Sequence, residues 1–121
     1  MKPYEFEQLV CDHYRQKGYR VQTTSASNDY GIDVFAEKKG EKIAVQVKMY
    51  GGSTRKVNRQ TMMELYGAAA YFDCTKAVLA TDGEVLTDAK EVAHKLGIDI
   101  LFIQPDRKIS MPIWITSSAD R

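Results

Sequence analysis

The stretch Lys42-Ile43-Ala44-Val45-Gln46-Val47-Lys48-Met49 constrains this chain more than any other. Ile43, Val45, Val47 and Met49 recur with a period of two, the period of a β-strand, whose successive side chains point to opposite faces. One face is therefore apolar throughout. The other carries Ala44, Gln46 and Lys48, so two polar groups interrupt the covering of the sheet on that side. Upstream, residues 31–37 (GIDVFAE) read as a second strand, and Lys38-Lys39-Gly40-Glu41 has the composition of a hairpin turn. If the two strands pair through that turn, Asp33 and Gln46 come to the same end of the hairpin.

The remaining elements follow from periodicity and punctuation. Phe6, Leu9, Val10, His13 and Tyr14 lie on one face of a helix expected over residues 3–17, with Pro3 in its first turn and Gly18 beyond its end. Glu5 and Glu7 fall where the helix dipole favours negative charge, which alone accounts for both acids. Residues 19–24 read as a strand, and Ser25-Ala26-Ser27-Asn28-Asp29 as a loop. A second helix is expected over 57–72, with Met62, Leu65, Tyr66 and Ala69 as its apolar stripe. Gly67-Ala68-Ala69-Ala70 offers small side chains for close approach to the sheet. A buried strand over 76–81 follows, then a helix capped by Thr87 and stopped by Gly97, a strand over 99–103, and a weak last strand near Ile113-Trp114-Ile115. The order αβββαβαβ predicts an α/β fold in which an antiparallel hairpin joins parallel crossovers, as a single domain over residues 1–121.

Composition narrows the class. At 121 residues the chain has the size of one domain, and 44% apolar with 27% charged residues argues against a disordered or repeat-built chain. No apolar run reaches the roughly 20 residues that span a bilayer, and the N-terminus does not read as a signal peptide, so a cytoplasmic protein with no membrane partner is expected. The net charge of +1 recommends no partner, but its distribution does. Residues 37–59 hold seven bases against two acids, leaving the rest of the chain negative, and such asymmetry can draw a polyanion to one part of the surface. Cys11 and Cys74 belong to no CxxC pair, and His13 and His94 show no metal-ligand spacing. Cys11 is expected to be a buried structural thiol.

Asp33, Gln46 and Lys48 suit hydrolysis of a phosphodiester. A carboxylate and an amide carbonyl can both ligate Mg²⁺, which takes oxygen donors and keeps waters for a nucleophile. An adjacent ammonium can hold the attacking water or stabilise charge on phosphorus. A solvated strand face accounts for Gln46 and Lys48 as well. Asp29 also lies nearby, though an Asn-Asp pair before Tyr-Gly is ordinary turn chemistry. Gln60 is either a site residue or part of a helix surface, and Tyr30 and Tyr50 are either packing or contact aromatics. Trp114 reads as a core or interface anchor.

The ordered series Phe6-Glu7, Gly18-Tyr19-Arg20-Val21, Asn28-Asp29-Tyr30-Gly31-Ile32-Asp33 and Val45-Gln46-Val47-Lys48 resembles the catalytic domain of Mrr-like restriction endonucleases, in the PD-(D/E)XK nuclease superfamily. The likeness continues through Glu64-Leu65-Tyr66-Gly67-Ala68 and Ala77-Val78-Leu79-Ala80-Thr81, covering about residues 4–103. It implies a restriction-endonuclease-like three-layer fold, a mixed central sheet flanked by helices. It also implies a catalytic set of Glu7, Asp33, Gln46 and Lys48, in which Glu7, Asp33 and Gln46 hold Mg²⁺ (or Mn²⁺) and Lys48 is the catalytic lysine. Gln46 departs from the superfamily's commoner acid and supplies only a neutral carbonyl oxygen, which makes Glu7 more important. Tyr50, Arg55, Lys56 and Arg59 follow the catalytic strand and are expected to grip a DNA backbone.

The expected activity is metal-dependent endodeoxyribonuclease. A catalytically weak DNA-binding module, or a subunit needing a partner chain, are the alternatives. Because Mrr-like enzymes usually carry a separate recognition domain, specificity is expected from a homodimer or a separate recognition subunit.

Overall fold

The chain runs α1 (Pro3–Gln16), β1 (Arg20–Thr23), β2 (Val34–Lys38), β3 (Glu41–Lys48), α2 (Arg59–Tyr71), β4 (Lys76–Thr81), α3 (Thr87–Leu96) and β5 (Asp99–Phe102). The computed structural model describes residues 1–24 and 30–104. Asp29, Trp114 and the strand expected near 113–115 lie outside them.

The β2–β3 hairpin organises the sheet. The strands pair antiparallel from Lys38↔Glu41 to Val34↔Val45. Their two-residue loop places both Lys39 (φ 45°) and Gly40 (φ 84°) in the left-handed region, the backbone that matches the twist of a hairpin. β1 adds antiparallel to β2, whereas β4 and β5 add parallel beyond β3, giving the order β1-β2-β3-β4-β5. The parallel connections require crossovers, and α2 and α3 provide them.

Alternation along β3 divides the interior in two. Ile43 and Val45 are buried with Phe6, Val10, Cys11 and Tyr14 of α1 and with Val34, Val78 and Leu101 of the sheet. Ala44 faces the other way, among Met62, Leu65, Ala68 and Ala69 of α2, Ala89 and Ala93 of α3, and Leu79. Helices thus cover both faces, and the three-layer α/β arrangement is the one expected from sequence. Cys11 is fully buried, as expected of a structural thiol, and burial pushes its pKa up.

Several local expectations need correction. α2 begins at Arg59, because the Asn58 side chain accepts the Thr61 N–H at 2.9 Å and caps the helix there. Val57 instead bridges Val85, its carbonyl accepting the Leu86 N–H. That bridge leads the chain into α3 with Leu86 at the cap position, so Thr87 is the first helical residue and not the cap. On α2 the buried stripe is Met62, Leu65, Ala68 and Ala69, while Tyr66 is half-exposed. β2 starts at Val34, so Asp33 lies just before the strand.

His13 is buried on α1 against the edge of the Tyr14 ring, and loss of solvation, with the charge of Lys17, lowers its pKa to about 4. The unfolded chain, with an imidazole pKa near 6.5, takes up this proton first. Its contribution to stability should therefore be fully present above about pH 6.5 and decline as pH falls towards about 4. Denaturant unfolding at stepped pH checks this. His13→Leu should flatten the curve across that window, and an unchanged slope in the variant would contradict it.

Candidate active site

Asp33 sits where the hairpin comes apart. Its N–H donates to the Val45 carbonyl at 2.9 Å, and its Oδ2 accepts the Val47 N–H at 2.7 Å. The carboxylate thus takes an N–H that a longer β2 would have paired with a backbone carbonyl. Strict alternation fails at the same place: Ile32 is buried on the α2 side of the sheet and Val34 on the α1 side. The chain turns over between them, and Asp33 is held at the rim between the two faces. Thr24 fixes this turn, its N–H donating to the Asp33 carbonyl at 3.0 Å and its Oγ1 to the Ile32 carbonyl at 2.8 Å.

The ladder ends at Val34↔Val45, and Asp33 bonds to the β3 backbone on either side of Gln46, at the Val45 carbonyl and the Val47 N–H. Gln46 is only 7% exposed, and its Oε1 is buried with no hydrogen-bond partner. Such a group carries a desolvation cost of about 1–3 kcal/mol that nothing in the apoprotein offsets. Gly31 makes room for the amide: its φ is +86°, and a Cβ there would lie 2.9 Å from Gln46 Nε2.

Glu7 reaches the rim from α1. The two glutamates of that helix have different roles, since Glu5 accepts the Lys2 N–H at 2.8 Å as an end cap. Partial burial, and then the charge of Asp33, raise the pKa of Glu7. Two carboxylates therefore approach one another at the rim, and the Gln46 amide belongs to the adjoining stretch of β3. Among the described residues no three His, Cys, Asp or Glu side chains gather as a metal cluster. A divalent cation fits this donor set only if the amide takes part, and the orphaned Gln46 carbonyl is the feature that suits it to do so.

Lys48 shares the Gln46 face of β3 and opens into a polar cleft of about 430 Å³, with Tyr50, Arg55, Lys56, Gln60 and Glu64. The Tyr50 ring lies between two cations, Lys48 Nζ at 5.9 Å and the Arg55 guanidinium at 4.5 Å from its centre. Thr81 steadies the end of β3 by donating from Oγ1 to the Lys48 carbonyl at 2.7 Å and accepting the Gly83 N–H at 3.0 Å. Lys56 pairs with Glu84 at 3.6 Å across exposed surface. Arg59 does not line the cleft and is held by Asp88 of α3 at 2.8 Å.

Three elements of the site escaped the reading of the sequence. Glu64 lines both the Lys48 cleft and a second, more apolar cleft at Gln46, and it accepts a hydrogen bond from Gln60 at 3.2 Å. The spacing of Gln60 and Glu64, one helical turn apart beside the apolar stripe, was its available signal. Thr24 and Thr81 act through backbone carbonyls and leave no pattern in sequence.

A five-stranded mixed sheet between helices, with an acid at a hairpin end and an amide and lysine on the next strand, is the restriction-endonuclease-like fold. The Mrr_cat restriction endonuclease family model matches residues 1–108, and the chain belongs to that family. Among curated proteins it is 34% identical over 98 residues to an uncharacterized protein, y4cE, of Sinorhizobium fredii, covering 72% of this chain and 25% of that one. It is 39% identical over 49 residues to a UPF0102 protein of Aquifex aeolicus, covering 40% of this chain and 48% of that one. The chain thus spans a quarter to a half of these relatives. Among solved structures it resembles the MspJI restriction endonuclease in complex with a 27-mer oligonucleotide (TM-score 0.55, 14% identity, 82% of this chain and 24% of that one). It also resembles the DNA modification-dependent restriction endonuclease AspBHI (TM-score 0.54, 15% identity, 100% and 37%). A protein of unknown function, AF1548, aligns with TM-score 0.64 at 19% identity over 79% of this chain and 56% of that one.

Gly31→Ala should cost about 1–2 kcal/mol for the left-handed backbone and push the Gln46 amide from its place. Denaturant unfolding together with the NMR side-chain amide signal of Gln46 measures both effects. Unchanged stability with an unshifted signal would contradict the packing described.

Proposed function

We propose that the chain is a metal-dependent endodeoxyribonuclease hydrolysing DNA phosphodiester bonds. The observation that carries this reading is the Gln46 carbonyl, buried without a partner one residue from the Val47 N–H that holds the Asp33 carboxylate. Asp33, Gln46 and Glu7 would hold Mg²⁺, with Mn²⁺ as a substitute. When bound, the ion would lower the pKa of water and withdraw charge from the phosphoryl group.

The chain's own residues do the rest. Glu7 and Asp33 repel one another, a repulsion that a cation held between them would relieve. The Val47 N–H fixes the Asp33 carboxylate, so its placement owes nothing to the substrate. Lys48, one residue pair along β3 from Gln46, orients the attacking water and stabilises charge developing on phosphorus. Tyr50, Arg55 and Lys56 grip the backbone beside it, the exposed Lys56–Glu84 pair being worth only about 0–1 kcal/mol and readily exchanged for a phosphate. Arg59 extends this grip from the start of α2, its exposed pair with Asp88 being open to the same exchange. Specificity for a target comes from a second copy or a separate recognition subunit, and the reading places the protein in the cytoplasm.

One observation favours a second reading, a DNA-binding module without catalysis: among the described residues no cluster of three acidic, histidine or cysteine side chains forms. The two readings part in one assay. Plasmid and oligonucleotide DNA incubated with the chain and Mg²⁺ or Mn²⁺ should be cut, and EDTA should abolish cutting. Asp33→Ala and Lys48→Ala should each slow it by about 10²-fold or more. Undiminished cleavage in both variants would overturn the assignment, and salt-sensitive binding without cleavage under any divalent ion would select the binding module.

A further inference from the structure

The cleft on the other side of Glu64 has no task in the chemistry above. It is about 540 Å³, open to solvent, and runs between Tyr30 and the α2 residues Gly67, Ala68 and Tyr71, with Gln46 and Glu64 also lining it. That volume lies in the range of sites for small organic ligands. Its walls are unusual for a surface. Tyr30 and Tyr71 are 65% and 66% exposed, although large aromatic side chains ordinarily bury their rings.

These tyrosines are braced. Their ring centres are 5.1 Å apart, Tyr71 meets Phe72 edge-on at 5.0 Å, and Phe72 meets Phe35 of the sheet at 5.3 Å. The row of rings therefore runs from the surface to partly buried aromatics packed against the core. Tyr30 holds its place with φ at 52°, a conformation that a bulky residue adopts only at a cost. Across from it, Gly67 and Ala68 keep α2 low, and a Cβ at Gly67 would meet nothing within 4 Å. A helix-interior glycine is unfavourable, so this gap comes at a stability cost.

We infer that this cleft receives one unpaired nucleobase of the DNA strand being cut. The inference rests on the reading of the Gln46 site as a nuclease centre, and it names the form of substrate that site takes. Aromatic side chains stack bases irrespective of sequence. The amide of Gln46 and the carboxylate of Glu64 offer polar groups to a base edge, and Glu64 suits the exocyclic amino groups of adenine, cytosine and guanine better than thymine. Glu64 also lines the Lys48 cleft, so a base seated here keeps its phosphate toward Lys48 and Arg55. A paired base stays stacked within the duplex and presents only its edges to the grooves, so the cleft selects single-stranded, frayed or branched DNA.

The test is binding of a short single-stranded oligodeoxynucleotide carrying 2-aminopurine, with Ca²⁺ in place of Mg²⁺ so that binding is read without turnover. Stacking in the cleft should quench the emission. Tyr71→Ala, and Gly67→Leu, which fills the gap without removing a ring, should each weaken single-strand binding about ten-fold and leave duplex binding unchanged. Unaltered emission on binding, or equal loss for single strand and duplex in both variants, overturns the inference. DNA cleavage without quenching would keep the nuclease reading and reject the base cleft. Quenching lost in the variants, from a chain that never cuts, would do the reverse.

Discussion

The arrangement depends on one hydrogen bond, from the Val47 N–H to the Asp33 carboxylate. It ends β2 by substituting a side chain for the next backbone carbonyl, and so places an acid in the plane of the sheet. A residue on either face of a strand can be reached from that face alone. Asp33, at the rim where the chain changes faces, can be approached by Glu7 from the α1 layer, and its carboxylate is held by the Val47 N–H, one residue from Gln46. The Thr24 contacts to the Ile32 and Asp33 carbonyls hold this turn.

Two groups of the candidate site are held at an electrostatic cost. Glu7 is harder to ionise than an ordinary carboxylate because of burial and of the negative charge on Asp33. Gln46 buries an acceptor that no donor satisfies. Both conditions oppose folding, and strained or unsatisfied groups of this kind tend to concentrate at functional sites. Elsewhere, among the described residues, ion pairs such as Arg59–Asp88 lie on exposed surface, where solvent screens them.

Much of the fold was legible because β3 and α1 each carry a clean period, and because Lys38–Glu41 is a tight-turn sequence. The errors came where tertiary context decides. Tyr66 fits the helical stripe by spacing, but it is half-exposed and Ala68 is buried instead. Thr87 reads as a cap, yet the Val57–Val85 bridge delivers Leu86 to that position. For the candidate site, strand period puts Gln46 and Lys48 on one face of β3, but Asp33 lies before β2 where alternation fails. Glu7 could not be placed by period, since its proximity to Asp33 depends on how α1 crosses the sheet. Glu64 looked like any polar residue on a helix until α2 was seated beside β3.

The proposed cation site is tested most directly by a Mn²⁺ titration, followed by electron paramagnetic resonance, of the wild-type chain and of Gln46→Leu. Leucine is close to glutamine in size and removes the unpartnered acceptor, so the variant should fold at least as stably. The account predicts saturable Mn²⁺ binding by the wild type and its loss in the variant. Equal Mn²⁺ affinity in both chains would contradict it.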